Sequence, residues 1–220
     1  MWCIPTITPL FVERMEDILT LYAKPYNKQE PVLCFDEKSK QLLSSSRVTK
    51  NCREGVPRRV DYEYVRHDTV NIFMTVEPRG GYRTTRVTTR RTKRDFAHAI
   101  KRIITLKRYS TATKIHIVLD NLNTHFKESI YETYSLEEAK KILQKIQFHY
   151  TPKHASWLNM AEIELSVMEK QCTKQRIQSS TILQENLSLW NKRRNNAHAT
   201  INWKFTVDDA RRMFKCDKIK

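Results

Sequence analysis

Two apolar stretches of the sequence stop at an aspartate. "VLCFDE" reaches Asp36 and "IHIVLDN" reaches Asp120. In open α/β sheets, binding and catalytic side chains gather where strands end, because the loops there can point side chains at a ligand. A turn or a helix cap explains either aspartate equally well when it is taken alone. A functional site and a local turn or cap are therefore both possible until the strands and helices around the two aspartates are predicted.

A third carboxylate comes from a helical stretch near the C-terminal end. Its apolar residues recur every three or four positions, which predicts a stripe facing the core. These residues are Leu158, Ala161, Leu165, Met168 and Cys172. Glu162 lies one turn after Leu158, at the edge of that stripe, and could therefore lean over the end of a sheet. Glu164 and Glu169 are competing candidates, and a solvated helix glutamate is the alternative for each of the three.

Three carboxylates from separate elements have a common chemical use. Mg²⁺ prefers oxygen ligands, and a pair of such ions can activate a water or a 3′-hydroxyl for displacement at phosphorus. Carboxylates brought together without cations repel one another. The triad therefore predicts a divalent metal site, with Mg²⁺ as the cofactor and Mn²⁺ as a possible substitute.

The elements that would position these residues alternate between strands and helices. We predict strands at residues 32–35, 58–65, 70–76, 82–88, 114–119 and 148–150. We predict helices at residues 10–24, 135–146, 156–175, 181–197 and 206–215, with another that begins near Asp95. This order indicates an α/β fold, a mixed sheet with helices on both faces. We divide the chain into an N-terminal linker and helix (1–30), a catalytic domain (31–178) and a C-terminal helical extension of that domain (179–220).

The charge distribution points to a polyanionic partner. The chain of 220 residues has 40 Lys and Arg against 24 Asp and Glu, a formal net charge of +16. Residues 79–108 contain eleven Lys and Arg and a single acid. Neutralised phosphates release counterions, so a dense basic block favours nucleic acid, although a solvated basic surface is the plainer alternative. We expect the basic residues of the third strand and of the following loop to hold DNA backbone: Arg83, Arg86, Arg90, Arg91, Lys93 and Arg94. Strand alternation puts Arg83 and Arg86 on opposite sides, so both can face one duplex only if the strand lies at an edge or twists.

Several other classes of function are disfavoured. Only three glycines are present, so no phosphate-binding P-loop or dinucleotide fingerprint can be formed. The five cysteines include no C-x-x-C pair and the seven histidines show no zinc-ligand spacing, which argues against a zinc site. No stretch resembles a secretory signal or a membrane span, so we expect a cytoplasmic, nucleoid-associated protein.

Three motifs in order carry a family resemblance: "CFDEKS", "VLDNLNTH" and "FHYTPKHASWLNMAEIELSVMEKQC". The chain closely resembles bacterial insertion-sequence transposases of the mariner superfamily, from about Trp2 to the C-terminus. The resemblance implies an RNase H-like catalytic domain with an Asp-Asp-Glu triad at Asp36, Asp120 and Glu162. It also implies metal-dependent cleavage at element ends and joining of 3′ ends to target DNA, with TA targets favoured.

The same motifs contain four polar residues that we expect to line the site: Asn121, His125, His154 and Asn159. For the two histidines, a plain hydrogen-bonding role is an alternative. The partner implied is double-stranded DNA, at the element ends and at the target, bound by a homodimer.

Two departures from the family pattern keep alternatives open. The stretch between Asp120 and Glu162 holds 41 residues, which is longer than in many mariner relatives. The chain also opens without the helix-turn-helix region that precedes the catalytic part in full-length relatives. A catalytic-domain fragment, a product of a split gene or a decayed copy would each explain this. The alternative functions are a catalytically silent DNA-binding remnant and a structure-selective nuclease of similar fold.

Overall fold

A five-stranded mixed sheet forms the centre of the chain in the computed structural model, which describes residues 7–47, 54–55 and 62–216. The strands are β1 (Val32–Ser45), β2 (Tyr64–Glu77), β3 (Tyr82–Thr88), β4 (Ile115–Leu119) and β5 (Ile146–Tyr150). Their order across the sheet is β3-β2-β1-β4-β5. Strands β1, β2 and β3 are antiparallel neighbours, while β4 and β5 run parallel to β1. The predicted mixed sheet is therefore confirmed.

The side chains of β1 alternate between two cores. Leu33 and Phe35 pack into the core on one face, whereas Cys34 packs into the core on the other. This alternation follows from the period of two along a strand, and it places Asp36 on the same face as Cys34. Burial of Cys34 raises the pKa of its thiol to about 12, as expected for a small core residue.

The hairpin of β1 and β2 is longer than predicted. β1 was expected to end at Phe35 but continues to Ser45, and β2 is one strand where two were expected. Strand pairing continues through Leu43 and Arg66, and Leu42 and Val70 are buried in this part of the hairpin. The beginning of the strand predicted at 58–65 lies outside the described residues.

Three helices cover the face of the sheet that carries Phe35: α2 (Lys93–Thr105), α3 (Lys127–Thr133) and α4 (Leu136–Gln144). α2 starts with a reciprocal cap in which Thr92 accepts from the backbone of Asp95 and Asp95 accepts from the backbone of Thr92. Such a cap is worth about 1 kcal/mol. Ser135 caps α4 as predicted. The short helix α3 was not predicted, since only Ser129 and Ile130 of its residues are buried.

The other face is covered by α1 (Pro9–Ala23), α5 (Met160–Met168), α6 (Ser180–Asn196) and α7 (Val207–Phe214). One continuous helix was predicted from Ser156 to about residue 175. The structure instead has a 3₁₀ turn at Ser156–Leu158, then α5, then a π-helical turn at Glu169–Thr173. Asn159 separates the first two, because its extended backbone and side-chain cap start a new helix at Met160.

Helices on both faces of the sheet agree with the predicted fold class. Among the described residues, no helix combines the length and apolar character that crossing a bilayer would require. The proposed domain boundaries stay predictions, and α6 and α7 both pack onto the same face of the sheet as α5.

Candidate active site

Asp36 lies at the point where β1 and β4 reach the edge of the core. Cys34 pairs with Val118 in the parallel register, so the next inward-facing position on each strand is Asp36 and Asp120. Adjacent strands lie about 5 Å apart, and the two carboxylates therefore start from neighbouring backbones. Asp36 is only 8% exposed. Its Oδ1 accepts the backbone N–H of Glu37 at 2.8 Å, and its Oδ2 accepts Asn159 Nδ2 at 3.3 Å.

Asp120 follows β4 directly and remains more open, with 38% of its side chain exposed. Its Oδ1 accepts the backbone N–H of Leu122 at 3.1 Å. The same oxygen lies 2.6 Å from His125 Nδ1. Both interpretations of Asp120 therefore apply. One of its oxygens stabilises a turn, and its carboxylate also lies at the edge of the sheet.

Glu162 occupies the first turn of α5 and is exposed. Its charge acts directly on Asp36, as does that of Asp120. The structure thus brings together one carboxylate from each of β1, the end of β4 and α5. The two competing glutamates lie elsewhere: Glu164 is fully buried, and Glu169 pairs with Lys38.

The three acids differ in their electrostatic environment. Burial and the nearby charge of Glu162 raise the pKa of Asp36 to about 8, against the opposing effect of the Glu37 N–H. Burial would also raise the pKa of Asp120, but hydrogen bonds from His125 and Leu122 outweigh it and lower the pKa below its usual value. Negative charge is therefore crowded around Asp36, which is where a divalent cation would relieve the most repulsion.

His125 is fully buried and lies between two carboxylates. Its Nδ1 faces Asp120, and its Nε2 lies 3.0 Å from Glu37 Oε2. Burial alone would lower the pKa of His125, yet the hydrogen bonds to Asp120 and Glu37 raise it to about 9. Glu37 was not predicted, because the first strand was expected to end at Phe35, and only the continuation of β1 to Ser45 turns Glu37 towards the core.

The remaining residues expected to line the site have different surroundings. Asn159 is fully buried and donates to the Phe35 carbonyl at 2.8 Å as well as to Asp36. Asn121 accepts from Arg14 at 2.6 Å and donates to the Thr151 carbonyl. His154 is exposed between β5 and α5 with a left-handed backbone, φ 63°.

Arg83 does not fit its expected role in DNA binding. Its side chain is fully buried and its Nε lies 3.0 Å from Glu164 Oε1. Arg194 holds the same carboxylate through two contacts of 2.9 Å. The alternation of β3 turns Arg83 towards α6, away from solvent, and a buried guanidinium cannot reach a phosphate.

The loop between β3 and α2 keeps its predicted basic surface. Arg90 and Arg91 lie in this loop and are exposed, whereas Lys93 and Arg94, predicted in the loop, form the exposed first turn of α2. The loop and this first turn together are called the basic loop below. Arg86, on β3, is half-buried. Arg91 lies 3.7 Å from Glu37 Oε1, so the loop adjoins the carboxylates. Lys93 pairs with Glu132 at 2.6 Å.

The donor set fits a hard divalent cation, since it consists of carboxylate oxygens supplied by separate elements. Within residues 7–47, 54–55 and 62–216, no three His, Cys, Asp or Glu side chains are already arranged around one point as metal ligands. Ligation of one ion by all three acids therefore requires side-chain movement, and exposed Glu162 is the residue with most freedom to move.

Comparison with known families identifies the class of protein that this fold and site define. The sequence model of the DDE superfamily endonucleases matches residues 31–184, and the chain belongs to this family. The matched region contains all three carboxylates. No curated protein sequence matches the chain.

Solved structures of the Mos1 mariner transposase share the fold. The paired end complex with Mn superposes with a TM-score of 0.59 at 14% identity, covering 90% of this chain and 60% of that one. The pre-cleavage transpososome gives a TM-score of 0.54 at 12% identity, with 90% and 66% covered. The strand transfer complex gives 0.51 at 14% identity, with 90% and 63% covered. The chain spans about three fifths of the length of the first of these proteins.

Proposed function

We propose that this chain is the catalytic domain of a DDE transposase, which cleaves DNA at the ends of a mobile element and joins the 3′ ends to target DNA. The observation that carries the proposal is the meeting of Asp36, Asp120 and Glu162 beside an exposed basic loop. Family membership supports the nuclease chemistry, and the likeness to the fold of Mos1 supports the more specific assignment to transposition.

Asp36, Asp120 and Glu162 are the residues that would hold Mg²⁺, with Mn²⁺ as a substitute. A bound divalent cation of this kind activates the attacking water or 3′-hydroxyl and stabilises the leaving oxygen. The crowding of negative charge at Asp36 supports this assignment, because like charges in a partly buried site favour a cation over three free carboxylates.

The protein's own residues would align the DNA. Arg90 and Arg91 of the loop beside Glu37, and Arg94 in the first turn of α2, would hold phosphates without reading bases. Asn159, held in place by its bond to the Phe35 carbonyl, donates to Asp36 and would keep that carboxylate oriented. The Mos1 structures are paired end and strand transfer complexes, which supports element ends as the substrate. A homodimer on DNA and a TA-type target are what the family resemblance implies, and they complete the proposal.

Nicking and joining of DNA test the proposal directly. The substrate is a supercoiled plasmid that carries the DNA flanking this coding sequence on both sides, with Mg²⁺ or Mn²⁺ added. We expect wild-type protein to cut in a metal-dependent manner, and Asp36→Asn, Asp120→Asn and Glu162→Gln to lose at least about a hundredfold in rate. Glu137→Gln, an exposed carboxylate on α4, is the matched control and should cut like wild type.

The result that overturns the proposal is tight DNA binding with no cutting by wild type in either metal. That outcome would identify a catalytically silent DNA-binding remnant. Cutting that continues unchanged in all three carboxylate variants would place the chemistry elsewhere in the chain.

A further inference from the structure

A chain of three polar side chains connects the interior of the sheet to its catalytic edge. Glu37 Oε2 lies 3.0 Å from His125 Nε2, and His125 Nδ1 lies 2.6 Å from Asp120 Oδ1. The side chains of Glu37 and His125 are 4% and 1% exposed, while that of Asp120 is 38% exposed. Only the last member of the chain therefore opens to solvent.

Glu37 cannot take the place of Asp36 as a ligand. The two residues are adjacent on β1, and strand alternation turns their side chains to opposite faces of the sheet. Asp36 lies on the face covered by α5, whereas Glu37 lies on the face with Phe35 and α2. A buried carboxylate on that face is costly unless it is paired, and His125 supplies the partner.

The ring of His125 is held in one orientation by packing, by its hydrogen bond with Asp120 and by the close approach of Glu37. Its centroid lies 4.9 Å from that of Phe96 in a tilted arrangement and 5.6 Å from that of Phe35, edge to face. Two aromatic neighbours and two carboxylates leave the imidazole little freedom to rotate. Its Nδ1 therefore has a fixed position, and it holds Asp120 Oδ1 by a hydrogen bond.

This attachment distinguishes the two oxygens of Asp120. Oδ1 receives both the His125 contact and the Leu122 N–H at 3.1 Å. Oδ2 receives neither of them. An anchored Oδ1 fixes the rotation of the carboxylate and leaves Oδ2 as the oxygen with lone pairs available for a cation.

We propose that Glu37 and His125 are positioning residues for Asp120: Glu37 orients the imidazole, and the imidazole anchors Oδ1 so that Oδ2 is presented to the divalent cation. This inference rests on the proposed function, since it assigns the pair a role in metal binding at the catalytic edge. Hydrogen-bond partners that orient metal ligands generally contribute ten- to a hundredfold to metal affinity.

Mn²⁺ binding to the full chain without DNA tests the inference, measured by electron paramagnetic resonance of free Mn²⁺. We expect His125→Phe and Glu37→Leu to weaken Mn²⁺ binding by about tenfold or more. Glu37→Gln retains an acceptor for Nε2 and should stay within about threefold of wild type, which is a rescue that mere loss of packing would not show. Thermal unfolding of each variant identifies those that remain folded.

A measurement on the wild-type protein keeps the inference testable if a variant fails to fold. In ¹⁵N-histidine-labelled protein, we expect the chemical shifts of both ring nitrogens of His125 to show a polar partner at each. A shift at Nε2 typical of a free ring nitrogen would overturn the role of Glu37.

The outcomes separate this inference from the function on which it rests. Wild-type Mn²⁺ affinity in folded His125→Phe and Glu37→Leu, with binding lost in Asp120→Asn, would overturn the positioning role and leave the proposed function standing. Absence of Mn²⁺ binding by wild type would overturn both.

Discussion

The guanidinium of Arg83 and the carboxylate of Glu164 form a fully buried ion pair, with Nε and Oε1 3.0 Å apart. The pair joins β3 to α5, two residues after Glu162. Arg83 also donates to the carbonyls of Gly81 and Ala199, so its charge is satisfied on several sides. The pair therefore fixes the helix that carries Glu162, the third proposed catalytic carboxylate.

Removal of Arg83 should destabilise the fold without a direct effect on DNA contacts. We expect Arg83→Met to lower the free energy of unfolding by about 3 kcal/mol, because one partner of a buried pair is left with less compensation. Urea denaturation measures this change. A double-mutant cycle with Glu164→Gln should show coupling between the two residues. Arg86→Met on the same strand is the control, and we expect it to change the free energy of unfolding by about 0.5 kcal/mol. Equal effects at the two positions would contradict the structural role of the Arg83–Glu164 pair.

The exposed basic loop should determine the salt dependence of DNA binding. Each phosphate contact contributes about 0.9 to the slope of log K against log salt on duplex DNA. Replacing Arg90, Arg91 and Arg94 together by Gln should therefore reduce the slope by about two to three. Fluorescence anisotropy with a labelled duplex at several salt concentrations measures it, without added metal.

A control of equal charge separates local contacts from net charge. Lys140, Lys141 and Lys145 belong to or follow α4, and replacing all three by Gln removes the same charge from a different region. We expect this variant to keep nearly the wild-type slope. A slope that falls equally in both triple variants would show that total charge, and not the loop, controls binding.

Local patterns in the sequence were sufficient to locate the candidate carboxylates. Asp36 and Asp120 each end an apolar run, and Glu162 lies beside a helical stripe, so strand and helix periods alone brought attention to all three. The family resemblance then favoured Glu162 over Glu164 and Glu169. The sheet class followed from the alternation of strand and helix patterns.

Features that depend on contacts between distant residues were not predictable in the same way. Strand alternation placed Arg83 and Arg86 on opposite faces but could not say which face was covered by α6. The burial of Glu37 depends on His125, which lies 88 positions later in the chain. The interruption of the predicted helix at Asn159 depends on its contact with Phe35, because that contact holds the side chain where it can cap α5.

Asn159 should combine a stabilising and a positioning role that substitutions can separate. Its Oδ1 accepts the backbone N–H of Ala161 at 3.1 Å, while its Nδ2 donates to Phe35 and Asp36. We expect Asn159→Ala to lower stability by about 1 to 2 kcal/mol, because the cap and a buried hydrogen bond are both lost.

Asn159→Asp retains an acceptor for the helix cap but removes the donor and adds a charge beside Asp36. We expect its DNA cleavage to fall at least as far as that of Asn159→Ala, although the helix cap is retained. Thermal unfolding and plasmid nicking, measured on the same preparations, give the two quantities. Wild-type cleavage by the Asp variant would show that the amide donor at Asp36 is dispensable.

The stability of the fold at acid pH should depend on His116, a buried histidine of β4. His116 Nδ1 lies 2.9 Å from His149 Nε2, and His149 Nδ1 lies 2.6 Å from Asp17. Burial lowers the pKa of His116 below 6.5, and the neighbouring His149 and Lys24 act in the same direction against Glu30 and Asp17. The folded chain therefore holds His116 neutral at a pH where the unfolded chain already binds a proton.

The sign of the effect follows from this difference in proton binding. Below about pH 6.5 the unfolded state takes up more protons than the native state, so stability is present above that pH and is lost as pH falls through the lowered pKa of His116. His116→Gln retains a donor for His149 and should flatten the decline, which urea denaturation at pH 7.5, 6.5 and 5.5 would measure. The same substitution at exposed His67 is the control. A decline in His116→Gln as steep as in wild type would assign the acid sensitivity to another group, because no proton could then bind at position 116.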